Sequence, residues 1–160
     1  MRVFADKMLD LTEHQAEEIA KRWCKSVRTN SRTPSYHTRP EEKCLPQAVS
    51  FYKNLRRMYF SEKPYEEVWL YFTRFAEERH AEGIPLHETI YALIMMRRHI
   101  WLYAEFQALF MTAVDMHQAI DSINRVILLF DHAMYAITQK CQEMTRREFA
   151  EELWKERFTY

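Results

Sequence analysis

The chain has 160 residues, enough for one domain with a closed core, and its 23 basic and 23 acidic side chains cancel. A neutral balance argues against a nucleic-acid surface, which carries a basic excess or stripe. Glycine occurs once and proline five times, which argues against hairpin-rich β structure and leaves no Gly-x-Gly or Walker loop to cradle a phosphate.

In chain order, the first segment, MRVFADKMLDLTEHQ, is charged throughout and does not read as a signal peptide. Thr12 and Gln15 have the spacing of a capping box, and Leu11 can staple to Ala16, so the first helix is predicted to begin at Thr12. Ile19, Ala20, Trp23 and Val27 form its apolar face. The stretch TNSRTPSYHTRP is polar and turn-forming and reads as a solvated loop, with Arg28, Arg32, Arg39 and Lys43 set against Glu41 and Glu42. Its serines, threonines and arginines could bind an anion or accept a phosphate.

A second helix is predicted from Pro46 to Phe60, with Val49, Phe51, Tyr52, Leu55 and Tyr59 inward. Pro64 suits the first turn of a third, whose expected buried stripe is Tyr65, Trp69, Phe72 and Phe75. Gly83 falls where that helix should stop, in the left-handed conformation that glycine serves best. Pro85 opens a fourth helix with Leu86, Ile90, Leu93, Ile94, Ile100 and Trp101 expected inside; Trp23, Trp69 and Trp101 are all expected in the core.

Thr112 and Asp115 can cap the last helix. Along it Ile120, Ile123, Ile127, Phe130, Met134, Ile137, Cys141 and Met144 alternate steps of three and four, a heptad seam. The apolar surface spreads beyond that seam at Val126, Leu129, Ala133 and Ala136, more than one small core is expected to absorb. These four are the predicted homodimer interface, with Leu129 the place where a charge would separate protomers. The tail, RREFAEELWKERFTY, is charged but holds Phe149, Leu153, Trp154 and Phe158 and reads as a continuation of the helix.

Chemistry is sparse. Glu77 and His80 form one Glu-x-x-His, the spacing that lets two side chains on one helix face a metal, but di-metal bundles need a second copy and none is found. Cys24, Cys44 and Cys141 are odd in number, far apart and form no Cys-x-x-Cys, so three reduced thiols in the cytoplasm are expected. The apolar runs YALIMM and VILLF are too short to cross a bilayer, so no membrane insertion is expected. Arg97 lies beside apolar neighbours on the fourth helix. It could hold an anionic ligand together with Arg98 and His99, or pair with Glu77 or Glu78 at the edge of the core. No nucleophile sits in an activating pattern, so no catalytic residue, metal or cofactor is assigned.

The segments IAKRWCKSV and ERHAEGIPLHETIYALIMMRRHIW resemble the N-terminal domain of the RsbR-type stressosome proteins, the RsbT co-antagonists. The landmarks are Trp23, Gly83, Glu88, Arg97, Arg98 and Trp101, within a match from about Thr12 to Met144. The resemblance implies an all-α, globin-like bundle of about five helices with a long C-terminal helix, usually without haem, that dimerises through its last helices and receives signals. With no STAS or kinase region before Tyr160, the chain reads as a stand-alone version, a single domain over 1–160. The expected function is a non-enzymatic signal-input or partner-binding domain acting as a homodimer. The alternative is a haem- or small-ligand-binding sensor using His80, His87 or His99.

Overall fold

The computed structural model describes residues 2–106 and 112–158, and every regular element among them is helical. In order these are α1 (Arg2–His14), α2 (Ala16–Val27), a 3-10 turn at Pro34–Tyr36, α3 (Glu41–Phe60), α4 (Pro64–Ala81), α5 (Leu86–Phe106) and α6 (Ala113–Phe158). The described residues therefore hold six α-helices where the sequence predicts about five, and α1 is the addition. Thr12 does not start a helix. Its hydroxyl donates back to the Met8 carbonyl at 2.8 Å, as a threonine inside a helix does. The break comes at Gln15 (φ −104°, ψ 21°), although the ladder crosses it through Gln15 N–H to Leu11 O at 2.9 Å and Ile19 N–H to Gln15 O at 3.0 Å.

α3 likewise starts earlier than predicted. Pro40 enters extended (ψ 147°), and Glu41 and Glu42 place negative charge at the positive end of the helix dipole. Pro46 then lies inside the helix and costs one backbone hydrogen bond, a local loss on an exposed side.

Other boundaries match the local signals. Gly83 has φ +73°. Ile84 N–H bonds to Arg79 O at 3.1 Å and Gly83 N–H to His80 O at 2.9 Å, the paired bonds of a Schellman motif ending α4. The Pro85 carbonyl then accepts from Glu88 and Thr89 to open α5. Thr112 and Asp115 cap α6 reciprocally: Asp115 N–H donates to Thr112 Oγ1 at 3.0 Å and Thr112 N–H to Asp115 Oδ2 at 3.1 Å.

One continuous cluster of buried side chains fills the bundle. α2 lies between α3 and α5, α1 packs on α3 and α6, and α6 runs along α4 while touching α5. Trp23, fully buried, donates its indole N–H to the Ala92 carbonyl at 2.9 Å, and Tyr52 donates to the Met96 carbonyl at 3.0 Å. These bonds tie α2 and α3 to α5 with their polar tips satisfied.

Two predicted core tryptophans are not core. Trp69 and Trp101 are each 38% exposed. The inward stripe of α4 is Val68, Phe72, Phe75, Ala76 and Arg79; on a 100° step Trp69 falls at its edge, while Tyr65 shares its direction but stands in the first turn, at the end of the helix. Tyr65 meets His132 of α6 in a tilted ring contact, centres 4.0 Å apart. On α5 the buried positions Ala92, Leu93, Met96, Ile100 and Tyr103 define one side; Trp101 lies across the helix from it, and Leu86 is exposed in the first turn.

The proposed interface positions also need correction. Val126, Leu129, Ala133 and Ala136 are buried inside the protomer. α6 is covered by α4, α5 and α1 of its own chain, so the extra apolar width is absorbed by the fold. The seam residue Ile120, by contrast, is 56% exposed.

Candidate functional site

Consecutive residues on a helix point 100° apart, and Arg97, Arg98 and His99 splay accordingly. Arg97 reaches α6, where its Nη1 lies 3.9 Å from Asp131; the partner is not Glu77 or Glu78. Arg98 is exposed. His99 turns the other way, with Nε2 3.0 Å from the Ser26 hydroxyl of α2. Burial, and then the positive charges of Arg98 and Arg22, hold its pKa below the ordinary histidine value. The triplet therefore does not converge on one ligand.

The loop between α2 and α3 is fastened to the bundle. Thr33 donates to the Val27 carbonyl at 2.6 Å, and Tyr36 is fully buried edge-on to Trp23. Glu88, buried on α5, accepts from Ser35 N–H at 2.8 Å and from the Ser35 hydroxyl at 2.9 Å. The donors that made this loop a candidate anion site are thus partly taken by a carboxylate of the chain itself.

A denser polar arrangement lies beside that loop. Arg79, on the inward stripe of α4, is 5% exposed. Its Nε sits 2.8 Å from Glu82, a second nitrogen lies 3.5 Å from Glu78, and Nη1 donates to Gln47 Oε1. Arg39 reaches the same Glu82 at 2.5 Å. A cavity of about 400 Å³ opens here between α3 and α4, lined by Lys43, Gln47, Ser50, Tyr71, Arg74 and Arg79 among others. Ser50 and Tyr71 share a hydrogen bond at 3.0 Å. Burial raises the Tyr71 pKa, keeping that hydroxyl protonated.

The residues of the Glu-x-x-His are engaged separately. Glu77 is 2.9 Å from Lys140 and His80 is 2.6 Å from Glu148, both on α6. Among the described residues no group of three or more His, Cys, Asp or Glu side chains is placed to hold a metal. His87 is exposed in the first turn of α5. Cys24 and Cys44, distant in sequence, are neighbouring buried thiols whose pKa values burial pushes up. Both are poor nucleophiles. Cys141 is half-buried on α6.

α6 extends past its partners. The register of Val126, Phe130, Ala133, Ile137 and Met144 continues through Glu148, Glu151 and Lys155, so the core-facing side turns charged. Phe149, Leu153, Trp154 and Phe158 occupy other positions and are 50–66% exposed. Trp154 and Phe158 stack with ring centres 4.3 Å apart. No helix among the described residues is long and apolar enough to cross a membrane. No protein-family model, curated protein or solved structure matches this chain.

Proposed function

We propose that the chain is a non-enzymatic signal-input or partner-binding domain that acts as a homodimer, with the projecting end of α6 as its contact. The observation that carries this reading is the change of face along α6. Up to Met144 the side through Val126, Ala133 and Ile137 is spent on the bundle; beyond, the same side is charged, and Phe149, Leu153, Trp154 and Phe158, spread around about half of the helix, are left uncovered. Clustered aromatic exposure of this kind marks an interaction surface, and a two-fold contact is the commonest way to cover it. The resemblance to the stressosome domain supports the same reading, with a globin-like arrangement of helices and dimerisation through the last of them.

Sedimentation of the full chain at tens of micromolar should give a dimer. Phe149→Glu combined with Trp154→Glu should give a monomer with unchanged helicity and unfolding midpoint, because exposed substitutions stay within about 0.5 kcal/mol. A monomeric wild type overturns the homodimer. A doubly substituted chain that still dimerises overturns the tail as the contact.

A further inference from the structure

We propose that the cavity between α3 and α4 binds the phosphate monoester of a small organic molecule, with Lys43 and Arg74 as its ligand-facing donors. This deepens the signal-input reading by naming the chemistry of the signal, and its regulatory meaning rests on that reading, whereas the binding itself does not.

Charge comes first. Lys43, Arg74 and Arg79 line the cavity together with Glu78, three cations against one anion. The excess of two matches a phosphate monoester, which carries close to two negative charges at neutral pH, and exceeds what a carboxylate neutralises. The cations also have unequal duties. Arg79 is fixed by Glu82, Glu78 and Gln47, whereas Lys43 makes no ion pair among the described residues.

The second observation is a pinned polar wall. Arg79 engages Gln47 through Oε1, so both side chains stand fixed behind Lys43 and Arg74, which are exposed at the cavity. The shared proton arrangement of Ser50 and Tyr71 can release a hydroxyl donor as well.

The third is shape. A volume of about 400 Å³ lies in the range of small-molecule sites. Phe75 and the ring of Tyr71 supply an apolar wall for the organic part, with the Arg79 guanidinium held 4.9 Å from the Phe75 ring centre.

Isothermal titration of the full chain with phenyl phosphate, inorganic phosphate and benzoate tests this. Phenyl phosphate should bind one to one and more tightly than either other probe, because it alone has both the dianion and the flat apolar body. Lys43→Met and Arg74→Met, both at exposed positions, should each weaken it by at least about tenfold, equivalent to about 1.4 kcal/mol, without shifting the unfolding midpoint. Absence of binding at 10 mM (roughly the weakest affinity such titration reads), benzoate binding as tightly as phenyl phosphate, or unchanged affinity in both variants would each overturn the site. Sedimentation of the same samples reads self-association independently, so a dimer that ignores the ester removes this inference alone.

Discussion

Leu129→Glu separates two accounts of the long helix. Leu129 lies in the middle of α6, 6% exposed, on the side covered by the protein's own helices. Removing its side chain from the core forfeits about 1.5–3 kcal/mol of apolar burial. The incoming carboxylate must then be desolvated or take up a proton, which adds several kcal/mol more. The total, roughly 4 kcal/mol or more, rivals the whole stability of an ordinary domain. Urea unfolding followed by circular dichroism should therefore show a chain largely unfolded without denaturant. Leu129→Ala keeps the comparison quantitative: it should fold, with a loss of about 2–5 kcal/mol. A folded Leu129→Glu monomer with a near wild-type midpoint would refute the core placement and put Leu129 at a subunit contact.

Gly83→Ala should cost about 1 kcal/mol in the same assay, from backbone strain alone at φ +73°, because nothing lies within 4 Å of the added Cβ; an unchanged midpoint would refute the requirement for glycine. His99 predicts a pH dependence. Its native pKa lies below the ordinary 6.5, so as the pH falls through that value the unfolded chain takes up the proton first and native stability drops. Stability should accordingly rise from pH 5 to 7, and His99→Gln should flatten that rise; equal slopes in the two proteins would refute the argument.

The parts of this fold legible in the sequence are those set by neighbours in the chain. A glycine ending a stripe, a proline opening a helix, and threonine three residues before aspartate each act through backbone groups within one turn, and Gly83, Pro64 and Thr112 behave as that logic requires. What stayed hidden depends on residues far away. Thr12 and Gln15 satisfy a capping-box spacing, yet the preceding segment is helical because Met8 and Leu9 are buried against other elements. The Ser35–Glu88 clasp spans 53 positions, and the Cys24–Cys44 pair joins α2 to α3. Periodicity alone could not say that Trp69 and Trp101 miss the centre of their stripes, because the width of a buried face is set by what packs on it. Arg79 is the instructive omission. The argument that singled out Arg97, a guanidinium on an apolar stripe, applies with more force to Arg79 in the row Val68, Phe72, Phe75, Ala76, where burial is nearly complete.

α4 joins the two proposed surfaces. A helix that only closes this bundle needs about the length of α3, α4 or α5, which have 20, 18 and 21 residues, whereas α6 has 46 and is roughly 70 Å long. An isolated helix as short as its projecting end is marginal in water, so that end depends on the bundle from which it grows. The last ties before it leaves run to α4: Lys140 to Glu77 and Glu148 to His80. Arg79, between Glu77 and His80, anchors the cavity from another face of the same turn, and Gly83 ends the helix one turn later. The final turn of α4 is therefore held by the tail on one face and by the Gln47–Glu82 network on the other. Packed elements of this kind move as units rather than deforming continuously, so a ligand that reorganises Arg79 acts on the same turn that positions the base of the exposed aromatic face.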